Sequence, residues 1–157
     1  MRELRFESLP PRGEEWVSLH DMRIRSIHIG ENEVTFEFPG GFDIVCDDRL
    51  THTGPAEITM CCGADDFSCE FRKERPSRRG LKFRGRGIDL EELASLLKKT
   101  GKELEIYIEY YESNRICWRC DVNPCRSPLR MRRWERVEIE ACGTFPVTYR
   151  WQEGKNI

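Results

Sequence analysis

The sequence predicts an α+β protein in which antiparallel β-structure predominates. About nine strands make a curled sheet, barrel or sandwich, and one helix near 89–100 packs against it. Three observations carry that reading. Apolar and charged side chains alternate with period two along most of the chain. Clusters of Gly, Pro, Asn and Asp separate the alternating runs. Only one stretch combines helical spacing with a start and a stop signal. A chain of 157 residues is the size of one domain. At 38% hydrophobic and 10% aromatic it can build a core and is not expected to be disordered.

The first clear strand is Val34, Phe36 and Phe38 alternating with Glu33, Thr35 and Glu37. Turn signals bracket it, Gly30-Glu31-Asn32 before and Pro39-Gly40-Gly41 after. With strand-like flanks at Met22–Ile29 and Phe42–Cys46, residues 22–46 read as a three-stranded meander. The apolar parity slips between Ile24 and Ile27, which a bulge near Arg25-Ser26 would absorb. Residues 56–62 and 67–73 suggest a second hairpin around Gly63-Ala64-Asp65-Asp66, with a short strand at 81–84 after it.

The helix follows. Asp89 is a natural N-cap, with Glu92 three residues on to complete a capping box. Leu90, Leu93, Leu96 and Leu97 share one stripe. Lys98 and Lys99 suit the negative end of the helix dipole, and Gly101 stops the helix. Beyond it, Leu104, Ile106, Ile108 and Tyr110 are expected to face inward, with Glu103, Glu105, Tyr107 and Glu109 outward. Strands near 115–122, 133–142 and 145–151 complete the set, with Val137, Ile139 and Ala141 inward. Residues 1–157 read as a single domain, and segment 74–80 is the one place where the chain could divide.

The eight cysteines are about 5% of the chain, below the roughly 8–10% of a disulfide scaffold. The opening residues carry charge where a signal peptide is apolar, and no run approaches the roughly 18 apolar residues of a membrane helix. A cytoplasmic location with reduced thiols is therefore expected, without membrane insertion. Cys117, Cys120 and Cys125 form a C-x-x-C with a third thiol, the spacing of a zinc-binding module or hydrolase. Strand parity favours another reading: Cys120 shares the apolar face of Ile116, Trp118 and Val122, whereas Cys117 joins Arg119 and Asp121. Cys62 and Cys69 likewise alternate with apolar residues as core thiols. No cofactor is expected, and zinc at Cys117, Cys120 and Cys125 is the alternative.

Charge is the sharper functional signal. The chain as a whole carries −2, yet Arg72–Arg86 holds eight basic residues against Glu74 alone. Arg78, Arg79, Lys82, Arg84 and Arg86 are the candidate binding residues, for an anion or an acidic partner. The bland alternative is that they pair with glutamates on the outer faces of 103–109 and 135–140, or guard a strand edge. A nucleic-acid binder usually has a basic balance overall, so nucleic acid ranks behind a protein partner. None of the three histidines sits in a catalytic motif, and no cysteine has a base beside it in sequence, so the reading leans away from an enzyme. His20-Asp21 reads as a turn in which the Asp side chain bonds backbone N–H groups two residues on.

The stretch Trp16-Val-Ser-Leu-His20-Asp21-Met-Arg-Ile24-Arg-Ser-Ile27, followed by Val34-Thr-Phe-Glu-Phe38-Pro-Gly-Gly-Phe42, resembles the opening of small bacterial cytosolic proteins of uncharacterised function. In those, a Leu-His-Asp segment leads into a strand, a hairpin and a Gly-Phe turn. Some are classed as immunity proteins of polymorphic toxin systems. The likeness covers about the first 45 residues and is weakly echoed in Asp89–Tyr111. It implies a binding role through a surface, with His20 and Asp21 as fold markers more than functional groups; joined to the charge pattern, the expectation is a non-enzymatic, protein-binding, immunity-like module acting through a charged surface. It carries over no catalytic residue, and neither the partner nor any homo-oligomer follows from it.

Overall fold

Antiparallel pairing accounts for every strand contact in the computed structural model, which describes residues 1–8, 13–112, 114–123 and 134–154. One sheet runs β1 (Arg2–Phe6), β14 (Val147–Trp151), β8 (Ala56–Met60), β5 (Val34–Phe38), β4 (Ser26–Ile29). A second runs β10 (Gly80–Ile88), β9 (Phe67–Ser77), β13 (Trp134–Cys142), β12 (Arg115–Asn123), β11 (Glu103–Glu112), β3 (Arg23–Ile24). A small third sheet holds β2 (Glu15–Ser18), β6 (Asp43–Cys46) and β7 (Arg49–His52). With α1 (Leu90–Thr100), the one α-helix among the described residues, this is an α+β fold of open, mainly antiparallel sheets. Among the described residues, no helix is long and apolar enough to cross a membrane.

The two large sheets share one core. Phe36 of β5 meets Trp118 of β12 edge-on, with ring centroids 5.1 Å apart, and Phe67 of β9 at 5.7 Å. Phe42, Tyr149 and Trp151 extend the aromatic packing toward the third sheet, with Phe42 centroids 6.0 Å from each of the other two. The helix touches β4 of one sheet and β9 of the other, so it covers the seam between them. Leu90, Leu93 and Leu97 are buried there, as the stripe requires.

Several expectations need correction. The described residues hold fourteen strands where about nine were expected: the short strands β1, β2 and β7 are additional, and segment 22–29 divides into β3 and β4. The 22–46 meander does not form: β4 and β5 pair, but β6 leaves for β2 and β7. Gly41 makes that departure. Its φ is +84°, and an added Cβ would lie 2.5 Å from the carbonyl oxygens of Thr53 and Gly54, so only glycine fits. The parity slip at Arg25 is a change of sheet and not a bulge: β3 pairs with β11, and β4 with β5. Strands β8 and β9 also part, the 3-10 turn Ala64–Asp66 carrying the chain from one large sheet to the other. Asp89 occupies the N-cap but makes no side-chain cap bond, so the capping box is absent. The 81–84 strand is much longer, from Gly80 to Ile88.

Candidate functional site

The basic segment is a two-stranded ribbon. Strands β9 and β10 pair without interruption from Ser77↔Gly80 to Cys69↔Ile88. The reversal at Arg78-Arg79 is held by Ser77, whose hydroxyl donates to the Gly80 carbonyl (2.7 Å), and by Gly80 itself at φ +113°. Among the described residues, strand β13 borders β9 as far as Glu74.

Alternation then sorts the side chains. Residues 69, 71 and 73 of β9 share a face with 88, 86 and 84 of β10. Near the core this face is apolar, with Cys69, Phe71 and Ile88. Toward the tip it becomes cationic, with Lys73, Arg84, Arg86 and Lys82. Helix α1 flanks the same face, and between helix and ribbon lies a groove of about 950 Å³. Phe71, Ile88 and Leu96 give it an apolar wall; Lys73, Arg84, Arg86 and Lys99 rim it. Its two carboxylates are already engaged, Glu92 by Arg86 (3.0 Å) and Glu135 by Lys102 (3.1 Å). Among the described residues, no carboxylate lies within ion-pair distance of Lys73, Lys82, Arg84 or Lys99, nor of Arg78 or Arg79. Lys73 sits over the Phe71 ring at 5.9 Å.

The nearest cations to the glutamates of the outer faces are arginines outside the basic ribbon. They pair within their own sheet: Glu103 with Arg25 (3.1 Å), Glu105 with Arg23 (3.0 Å), Glu138 with Arg119 (3.1 Å) and Glu140 with Arg115 (2.8 Å). Each cross-strand pair is worth little at an exposed surface, but together they use up the acidic groups the ribbon was expected to find.

The cysteines separate as parity demands. Cys120 is fully buried in the shared core, and burial drives its thiol pKa far up. Cys117 lies on the opposite face, its sulfur within 4.8 Å of carboxylate oxygens of Glu138 and Glu140. One ion cannot take both thiols from opposite faces of one strand. Cys125 lies outside the described residues. Cys117, Glu138 and Glu140 could offer three donors, but both carboxylates already face arginines. Burial first, and the two carboxylates next, raise the Cys117 thiol and keep it protonated.

Each histidine has a carboxylate close by. His52 donates or accepts at both ring nitrogens, Nδ1 with Asp43 (2.7 Å) and Nε2 with the Gly40 carbonyl (2.8 Å). That leaves the nearby cavity of about 720 Å³, of mixed charge, without a proton acceptor from this ring. His28 faces Glu37 at 3.0 Å. His20 and Asp21 do form a turn, exposed and 3.7 Å apart, but Asp21 takes a left-handed backbone conformation (φ 65°) and, among the described residues, its side chain bonds no backbone N–H.

One cluster was missed from sequence. Glu109 and Tyr111 point inward, the Tyr111 hydroxyl donating to Glu109 (2.9 Å) and the Leu19 amide donating to the same carboxylate. Burial raises the Glu109 pKa, partly offset by those two bonds and by His20. Tyr111 and Tyr149 lie beside it, their hydroxyl pKa values also raised by burial. Tyr149 lies in the core and Tyr111 packs against it, so the cluster reads as support for the fold. Set against family models, curated proteins and solved structures, the chain matches none.

Proposed function

We propose that this protein is a non-enzymatic binding module, immunity-like in kind, that holds an acidic segment of a partner protein against the β9–β10 ribbon and the groove beside α1. One observation carries the reading: Lys73, Arg84 and Lys99 rim an apolar wall, Lys82 follows on the same ribbon face, and none of the four has a described carboxylate within ion-pair distance. Cations left without an internal partner cost nothing in water and are poised for an external one, raising the on-rate for acidic ligands. A long polyanion fits less well. Beyond residues 72–86 the chain carries net −9, so nucleic acid running past the groove would meet like charge. A short acidic protein segment would not. The opening's likeness to immunity proteins supports the same class of role.

The test is binding of a short fluorescein-labelled peptide of alternating Glu and Val, followed by anisotropy. The native protein binds it, with affinity falling as salt rises. The double change Lys82→Glu/Arg84→Glu weakens binding by roughly tenfold or more. Equal binding by the reversed variant, or tighter binding of a DNA duplex at the same salt, overturns the proposal.

A further inference from the structure

Strand β10 ends the six-stranded sheet and pairs only with β9, so one of its edges is open among the described residues. Hydrogen bonding elsewhere in the sheet tells which backbone groups line that edge. The Ile106 amide donates to the Met22 carbonyl and the Ile106 carbonyl accepts from Asp21, so Ile106 faces β3 and its neighbour Glu105 faces β12. Backbone direction alternates residue by residue and strand by strand. The register Glu105↔Asp121, Asp121↔Arg136, Arg136↔Arg72, Arg72↔Gly85 therefore turns the N–H and C=O of Gly85 away from β9. The same holds two residues either side, at 83 and 87.

We propose that this edge is the recognition element: an extended acidic segment of another protein adds to β10 as a further strand. The inference rests on the proposed binding role and specifies its mode. Backbone groups at 83, 85 and 87 would supply sequence-independent affinity, and alternate side chains of the incoming strand the specificity. On one face that strand meets Lys82, Arg84 and Arg86, of which the first two have no described carboxylate partner, so acidic residues belong there. On the other face Gly85 and Gly87 present no side chain, which leaves room for bulky apolar residues, as glycine-bearing edges accept. A second copy of β10 is disfavoured as occupant, because pairing would set these cations against one another. Basic side chains thus guard the edge against self-association while admitting an acidic chain.

Gly85→Pro and Gly85→Ala separate this mode from simple charge attraction. The 85 amide does not bond to β9, so proline there removes an outward donor and spares the ladder. Alanine keeps the donor, and φ at Gly85 lies outside the positive range, so the backbone there accepts a Cβ. Thermal unfolding by circular dichroism checks that both variants fold. With the Glu/Val peptide, Gly85→Pro weakens binding by roughly tenfold or more, and Gly85→Ala by less than about twofold. Nuclear magnetic resonance shows the amides of Phe83, Gly85 and Gly87 gaining exchange protection in the complex. If both variants bind like the native protein and those amides stay unprotected, strand addition is wrong. The binding role then survives only if charge reversal still abolishes binding. Protection of the same amides without peptide, with a mass that rises on concentration, would make a second copy the occupant and overturn the proposal.

Discussion

Tyr107 decides which side chains of β11 see the core. Ile106 pairs with Cys120 and Ile108 with Arg119, so Tyr107 has no cross-strand partner and forms a bulge. Its ring lies under Arg136, 5.0 Å from the guanidinium carbon. The extra residue inverts parity beyond it. Ile108 and Tyr110 become 41% and 46% exposed, and Glu109 and Tyr111 turn in. Nothing in the local alternation marks this, since Leu104 to Tyr110 reads as one unbroken period-two run; the deciding factor is the opposite strand, which keeps Trp118 and Ile116 on the core face. The consequence is a testable pH dependence. The Glu109 carboxyl has a raised folded pKa, so between the ordinary glutamate value and that raised value the unfolded chain has lost a proton that the native chain retains. Stability contributed by the protonated form is complete below the ordinary value and lost as pH rises through the folded one. The groups that face Glu109 are His20, Tyr111 and Tyr149. Glu109→Gln removes the titration, and urea midpoints from about pH 4 to about pH 8 should decline less in the variant than in the native protein. Parallel profiles would show that Glu109 is not held in the environment described.

Elements were legible where their signals are local. The helix could be placed from its leucine stripe, its charged ends and Gly101, which takes the left-handed conformation (φ 64°) and donates its amide to the Leu97 carbonyl at 2.9 Å. Strand existence was legible for the same reason at β5, β11, β12 and β13. Strand partnership was not, because it depends on residues far apart in sequence: β3 and β4 are separated only by Arg25 yet join different sheets, as do β8 and β9 across the turn at Ala64–Asp66. Strand β10 was cut short at 84 because Gly85 and Gly87 interrupt the apolar alternation there, although an edge strand accepts glycine. The helix also has an energetic role, since Leu93 is fully buried where α1 covers the seam between sheets. Leu93→Ala should cost about 2–5 kcal/mol by lost burial and the cavity left behind. Chemical denaturation measures it; a loss below about 1 kcal/mol would mean that the helix is not docked on the core.

At the scale of the molecule, the candidate site was half legible. The basic segment stood out from composition, but that Lys73, Lys82 and Arg84 lie beyond ion-pair distance of every described carboxylate did not. That depends on Arg23, Arg25, Arg115 and Arg119 taking the sheet's own glutamates first. The same face-to-face sheets sort the thiols. Cys62, Cys69, Cys117 and Cys120 are buried, Cys46 is half-buried, and Cys61 and Cys142 are exposed. Burial pushes the Cys62 and Cys69 thiols up to about 12, while Glu140 adds to the effect of burial at Cys142. Only thiolate reacts readily with iodoacetamide, so both access and charge state protect the interior set. Mass mapping of the native protein should therefore find Cys61 and Cys142 alkylated ahead of Cys46, with the four buried thiols labelled only in denaturant. Labelling of Cys120 at the rate of Cys61 would contradict the shared core between the two large sheets. Labelling of Cys117 that begins only when a chelator is added would instead mark a bound metal on the outer face, where Glu138 and Glu140 are its neighbours.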